Sequence, residues 1–262
     1  MAWLRLPGSR QRETAQPGRR GSRGAGVFRH SWMAGLGGTR FLASCGLAGP
    51  VLFTAAWAAS SLRQSSYSAT GVQLSGLAAM DARDPQIMMA GFIVLGGCSI
   101  AFGAALGRVA AVGSAEPWLV KSAGATTVAA GLFRRDHMLL AGPGFGGESW
   151  HNQVHDLVSG VAYAAMIAAP LMLARRFRGD PDWAGLSRPL QGLALTSAAA
   201  LALFASRAVA PWNGAVQRVA VTLALAAVAL VATRMLSLRP DSGAQRERPS
   251  ERMGRPPPGA RP

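Results

Sequence analysis

The sequence predicts an all-α fold: a polytopic membrane bundle of six transmembrane helices with disordered Arg-rich tails. Apolar runs without a charged residue recur along the chain, and arginines concentrate at its two ends. A helix crosses the hydrocarbon core with about 20 apolar residues, and the core of a soluble domain does not repeat such runs five times. The five runs are Leu42–Leu62, Ile87–Leu106, Leu157–Ala174, Leu190–Ser206 and Val219–Thr233.

A sixth span completes the predicted bundle. It covers Trp118–Phe133, is short, and contains Lys121, whose side chain can extend back to the interface. Six spans place both termini on the same side of the membrane. We therefore expect a transmembrane domain over residues 41–238. The flanking segments, 1–40 and 239–262, have little apolar surface to bury and are predicted to be disordered.

The positive charge of the chain lies mainly in the predicted tails. The formal net charge is +15, with eight arginines before Phe41 and six from Arg239 to Arg261. This distribution predicts a multi-pass protein of the cell membrane with both termini cytoplasmic, because basic segments stay inside. The expected partners are the lipid bilayer and, at the basic tails, anionic headgroups. Nucleic-acid binding is not expected, because no folded basic face with interleaved aromatic residues is present.

Several smaller patterns indicate residues with a structural role rather than a catalytic or cofactor-binding one. Cys45 and Cys98 fall inside apolar spans, where they are predicted to be small apolar fillers rather than a disulfide framework. Gly103-xxx-Gly107 predicts a helix-packing face within the bundle. The spacing Gly142-x-Gly144-x-x-Gly147 matches a dinucleotide-binding pattern, but no strand precedes it. The sequence contains no nucleophile elbow, P-loop or zincin motif.

Ionisable residues gather between Gly131 and Gly160. His151 and His155 are four residues apart, so on a helix the two imidazoles share a face and can reach one metal ion. Asp136 or His137 can complete such a site if the loop folds back. Asp156 lies about 100° around the helix from His155 and does not easily join them. The alternative interpretation is that the histidines cap the outer end of the fourth span. The segment also contains Arg134, Arg135, His137 and Glu148.

Two arginines are predicted at the outer ends of the last two spans. Arg207 and Arg218 can pair with acids on the same side, forming a polar vestibule together with the first and the third–fourth connections. Contact with lipid headgroups is the competing interpretation. The acids in reach are Asp81, Asp136, Glu148 and Asp156. The candidate ligand-binding set is Asp136, His137, Glu148, His151, His155, Arg207 and Arg218.

Several short motifs occur in a fixed order along the predicted transmembrane domain. They are Gly46-Leu-Ala-Gly-Pro50, Tyr67 with Ser75-Gly-Leu77, Gly131-Leu-Phe133 with Asp136, Trp150-His151 with His155, and Gln217-Arg218. Together these motifs resemble a bacterial and archaeal membrane family, the domain of unknown function 998. The resemblance covers about Leu42 to Leu236 and implies six membrane helices without an established activity. It marks Asp136, His151, His155 and Arg218, while Arg134 and His137 stand where the family favours proline.

Three functions are compatible with these observations. The leading hypothesis is a membrane protein that uses no cofactor and binds a lipid headgroup, an ion or a partner at the outward cluster. The alternative is a zinc-dependent membrane hydrolase with His151, His155 and Asp136 as ligands. A small transporter ranks third, because no charged residue lies well inside a span and no internal repeat is visible.

Overall fold

The computed structural model describes residues 25–65, 67–138 and 149–238. These residues form six α-helices and two short 3-10 helices and contain no strand, which confirms the all-α fold class. The α-helices are α1 (Ala25–Arg63), α2 (Gln86–Leu106), α3 (Ala115–Leu132), α4 (Trp150–Phe177), α5 (Ala184–Ser206) and α6 (Asn213–Ser237), and the 3-10 helices are Leu74–Ala78 and Ala210–Trp212.

Five of these helical segments are long and apolar enough to cross a membrane. They contain the five apolar runs that the sequence predicts. Helix α3 forms at the position of the predicted sixth span but does not reach the apolarity of the others, because its 18 residues include Glu116 and Lys121. The crossing segments are Gly38–Arg63, Gln86–Leu106, Trp150–Phe177, Ala184–Ser206 and Ala210–Ser237.

Helix α1 begins earlier than the sequence predicts. Its backbone is helical from Ala25, whereas the first predicted span begins at Leu42. No proline interrupts the chain between Ala25 and Arg40, and each residue added to an existing helix gains one hydrogen bond. Residues 1–24 and 239–262 lie outside the described residues, and their disorder stays a prediction.

Contacts between the connections define two ends of the bundle. At one, which we call the Arg135 end, Arg63 Nε lies 2.8 Å from Asp84 Oδ2, joining the end of α1 to the start of α2. At the other, the Glu116 end, Arg176 Nε lies 2.8 Å from Glu116 Oε1, joining the end of α4 to the start of α3. Helices α1 and α2 therefore run antiparallel, as do α3 and α4, and α3 extends from the Glu116 end to the Arg135 end.

Glycines allow α2 and α3 to approach closely. A Cβ atom on Gly124 would lie 2.6 Å from the carbonyl oxygen of Gly96, and one on Gly103 would lie 2.8 Å from Lys121 Cγ. Gly96 and Gly103 are seven residues apart, so they lie on the same side of α2. Of the predicted Gly103-xxx-Gly107 face, Gly107 is less closely packed, because a Cβ atom added there would lie 3.6 Å from Pro117.

The connection between α1 and α2, which we call the lid, covers the Arg135 end of the bundle and is buried over residues 72–79. Its 3-10 helix, Leu74–Ala78, is buried at every residue. Leu74 and Leu77 pack in one cluster with Phe53 and Met88. The lid removes apolar surface from water, which explains why a segment flanked by polar residues folds inward.

Candidate functional site

An ion pair joins the loop after α3 to helix α4. The Nη1 atom of Arg135 lies 2.8 Å from Asp156 Oδ1, and the two side chains are 8% and 45% exposed. The other carboxylate oxygen of Asp156 accepts a hydrogen bond of 3.2 Å from Asn152 Nδ2. A buried guanidinium is thus compensated by a carboxylate that still reaches solvent.

Beside this pair lies an open cavity of about 350 Å³, which we call the Arg135 cavity. Its polar lining includes Tyr163 and Gln217, whose Nε2 atom donates to the Tyr163 hydroxyl at 2.8 Å. The Oε1 atom of Gln217 accepts from the backbone N–H of Leu74 in the lid at 2.6 Å. Leu201 and Phe204 of α5 form an apolar wall. The cavity therefore presents polar groups and hydrocarbon to the same space.

His155 is buried at the inner side of the cavity. The side chain is 1% exposed, and Nδ1 lies 3.0 Å from the carbonyl oxygen of Ala130 and 2.8 Å from that of Phe133. Carbonyl oxygens only accept, so Nδ1 carries the proton. His155 thereby binds carbonyls at the end of α3 that lack intrahelical partners. His155 therefore caps the end of α3 rather than an end of α4.

Asp136 is bound to the beginning of α4. Its Oδ1 atom accepts from the Ser149 hydroxyl at 2.6 Å, and Oδ2 accepts from the Ser149 backbone N–H at 2.8 Å. These two bonds, the hydroxyl first, lower the pKa of Asp136 because they stabilise its charged form. The Ser149 hydroxyl oxygen also accepts from the backbone N–H of Asn152 at 3.3 Å, so it caps α4.

The other candidate residues of this connection do not join His155. His151 is exposed, and its ring stacks on Trp150 with 3.6 Å between centroids. His137 is also exposed, with Nδ1 3.5 Å from Asp81 Oδ2. Glu148 lies outside the described residues.

The two predicted arginines take different positions. Arg207 ends α5 in the left-handed conformation, with φ 57° and ψ 10°, and lines the Arg135 cavity. Arg218 binds the lid: its Nη1 atom donates to the carbonyl oxygens of Ala69, at 2.7 Å, and Val72, at 2.6 Å, and Nη2 donates to the Tyr67 hydroxyl. Within the described part of the chain, Arg218 thus binds oxygens of the lid and α6 rather than the acids that the sequence suggested.

The proposed zinc ligands are separated by these contacts. His155 Nδ1 is bound to carbonyls, the Asp136 carboxylate is bound to Ser149, and His151 is stacked at the surface. Over residues 25–65, 67–138 and 149–238, no group of three His, Cys, Asp or Glu side chains is arranged to hold a metal ion. The described residues therefore give the zinc interpretation no support.

Sequence reasoning did not include Arg135, Asp156, Tyr163 or Gln217 in the site. Arg135 and Asp156 lie in the ionisable segment, but their pairing depends on how the loop meets α4. Tyr163 carried a usable signal, because it places a hydroxyl group inside the apolar run Leu157–Ala174, and Gln217 stands just before the apolar run Val219–Thr233. Buried polar groups of this kind are almost always hydrogen-bonded, and here the two bind each other.

The fold indicates the class of protein. Five helices that are long and apolar enough to cross a membrane are typical of multi-pass membrane proteins. Residues 47–234 match the family described as Protein of unknown function (DUF998), and the chain belongs to this family. The match confirms the family resemblance drawn from the short motifs. No curated protein and no solved structure gives a significant match to the chain.

Proposed function

We propose that this chain is a six-span protein of the cell membrane that binds an anionic lipid headgroup in the Arg135 cavity. The observation that carries the proposal is the placement of two guanidinium groups, Arg135 and Arg207, around one cavity of about 350 Å³ that also has an apolar wall. An anionic lipid has the matching chemistry, because it joins a phosphate to hydrocarbon.

The charges around the cavity favour an anion. Asp156 offsets one of the two positive charges of Arg135 and Arg207, so the lining keeps a net positive charge. Arg207 is exposed at the end of α5, where its guanidinium can turn toward a ligand. Guanidinium groups bind phosphate oxygens through paired, charge-assisted hydrogen bonds. A headgroup phosphate is therefore the preferred ligand over a metal cation.

Several features support six crossings with the Arg135 end outward. Helix α3 runs between the two ends of the bundle, and its 18 residues span about 27 Å. Exposed tryptophans lie at both ends, with Trp118 near the Glu116 end and Trp150 and Trp212 near the Arg135 end. Tryptophan is enriched at both membrane interfaces. An even number of crossings leaves both Arg-rich termini on one side, which the positive-inside rule assigns to the cytoplasm.

Lipid retention tests the headgroup proposal. The full chain is purified in detergent, exchanged into mixed phosphatidylglycerol and phosphatidylcholine, and analysed by native mass spectrometry. We expect preferential retention of phosphatidylglycerol, with Arg207→Glu lowering it about tenfold or more, because a charge-assisted hydrogen bond is lost and repulsion is added. Arg178→Glu is the matched control, since Arg178 binds Gln191 at the Glu116 end of the bundle. Equal retention by the wild type and Arg207→Glu would overturn the proposal.

A further inference from the structure

Two smaller cavities continue the Arg135 cavity into the bundle. We call them the middle cavity, which is next to the Arg135 cavity, and the inner cavity, which is next to the middle one. Each has a volume of about 40 Å³. Ser159 and Tyr163 line both the Arg135 cavity and the middle cavity. Leu95, Thr127 and Met166 line both the middle and the inner cavities. The three cavities therefore form one series in which each cavity shares lining residues with the next.

One face of α4 lines all three cavities. Asp156, Ser159, Tyr163, Met166 and Leu173 line successive cavities and follow helical spacings of three, four, three and seven residues. From Asp156 to Leu173 the helix rises about 25 Å. The series thus extends from the Arg135 end through most of the hydrocarbon thickness of a bilayer.

The lining changes from polar to apolar along this path. Arg135 and Gln217 line the first cavity, whereas Phe102, Val120 and Leu225 line the innermost one. An apolar cavity does not hold water well, and the atoms that line an empty one lose dispersion contacts on one side. A hydrocarbon chain restores those contacts, so the inner lining selects hydrocarbon over a hydrated ion.

We propose that this series holds the hydrocarbon chain of a single-chain anionic amphiphile whose head binds in the Arg135 cavity. The inference rests on the proposed headgroup function and names its ligand class. At about 40 Å³ each, the middle and inner cavities have no room for two chains and admit one chain only where side chains move. Met166, which lines both cavities, has a flexible unbranched side chain that can move aside to admit methylene groups.

Lysophospholipids and fatty acids share this chemistry, and their heads distinguish them. The test measures the binding of oleoyl and octanoyl lysophosphatidylglycerol, of oleic acid, and of glycerol 3-phosphate to the full chain in detergent. We expect oleoyl lysophosphatidylglycerol to bind about tenfold or more tightly than its octanoyl form. Tighter binding of the lysophospholipid than of oleic acid would assign the phosphate head, and the reverse order would assign the fatty acid.

Three substitutions on α4 separate chain binding from partition into detergent. Ala162 is buried and lines the middle cavity, so Ala162→Phe should remove the advantage of the oleoyl chain while octanoyl binding remains. Ala164 is exposed on the same helix, so Ala164→Phe should leave the advantage intact. Met166→Ala enlarges the space between the middle and inner cavities without overpacking and should increase oleoyl affinity several-fold. This variant decides the test if Ala162→Phe does not fold.

The outcomes distinguish this inference from the headgroup proposal. If Arg207→Glu weakens binding but neither Ala162→Phe nor Met166→Ala changes the preference for the longer chain, the hydrocarbon inference is wrong and the headgroup proposal stands. If the α4 substitutions act while Arg207→Glu has no effect, the headgroup proposal is wrong. A photoreactive group at the end of an oleoyl-length chain should label α4 between Met166 and Leu173, and labelling confined to exposed positions such as Ala164 would overturn the inference.

Discussion

Arg135 and Asp156 hold the loop after α3 against α4 through a contact of 2.8 Å between Nη1 and Oδ1. This contact sets the rim of the cavity, because Asp156 faces the guanidinium while the neighbouring His155 turns inward to the end of α3. Two consecutive residues of one helix therefore have different roles, one at the rim and one in the interior.

Removing the acid from this pair should destabilise the protein. Asp156→Ala leaves the guanidinium of Arg135, whose side chain is 8% exposed, without its carboxylate. We expect a loss of about 1–2 kcal/mol in unfolding free energy, at the low end for charged hydrogen bonds because Asp156 is half-exposed. Thermal unfolding in detergent measures the loss. Asp182→Ala, in the exposed α4–α5 connection, is the control, and equal effects of the two would contradict a structural role for the pair.

The two histidines of α4 should differ in importance. His155→Ala frees two buried carbonyl groups and leaves a cavity, so we expect a loss of about 2–4 kcal/mol in unfolding free energy. His151 is exposed, and His151→Ala should change stability by about 0.5 kcal/mol or less. Unfolding with added zinc or a chelator completes the test. Similar losses for both variants, together with protection by zinc, would restore the metal-site interpretation.

Acid should weaken the link between Asp136 and Ser149. The pKa of Asp136 is lowered from its ordinary value of 3.8 by the two bonds from Ser149, so its contribution is fully present above that value and is lost as pH falls through the lower folded pKa. The stability difference between wild type and Asp136→Asn should therefore be constant from about pH 5 to 8 and close below about pH 4. Ser149→Ala removes the hydroxyl bond, so the pKa of Asp136 should rise and the stability difference should disappear at a higher pH. Unfolding at several pH values measures it, and a gap that persists at low pH would refute the assignment.

The close approach of α2 and α3 should not tolerate a methyl group. A Cβ atom on Gly124 would lie 2.6 Å from the Gly96 carbonyl oxygen, so Gly124→Ala should cost about 1–3 kcal/mol in unfolding free energy. Gly192 in α5 has no atom within 4 Å of a built Cβ. Gly192→Ala should therefore be neutral or stabilise by about 0.5–1 kcal/mol, because it reduces the backbone entropy lost on folding. Thermal unfolding compares the pair, and the opposite ranking would exclude this packing.

Accessibility labelling should decide whether α3 crosses the membrane. With Cys45 and Cys98 replaced by alanine, single cysteines at Ser114 and His137 lie before and after α3. Six crossings predict that an impermeant thiol reagent labels the cysteine at 137 in intact cells and the one at 114 only after permeabilisation. A cysteine at Ser68, expected on the outer side, is the positive control. Labelling of positions 114 and 137 from the same side would contradict the sixth crossing.

The helices could be predicted because apolarity and length are local properties of the chain. The run Ile87–Leu106 became α2 at Gln86–Leu106, and the short run with Lys121 became α3. The ordered motifs also identified the family, because residue identity and spacing are properties of the chain that do not depend on its packing. The start of α1 could not be placed in the same way, because no composition change marks where a helix extends beyond the bilayer.

The amino-acid sequence by itself determined which segments become apolar helices and which residues are ionisable. Only the tertiary structure decided which of those residues meet. Arg218 binds carbonyl oxygens of the lid, and Arg135 pairs with Asp156, because the lid folds onto the distant helix α6 and the loop after α3 folds back onto α4. The physical reason is that membrane insertion depends on the apolarity of one segment, whereas a hydrogen bond depends on the positions of two segments that only packing brings together.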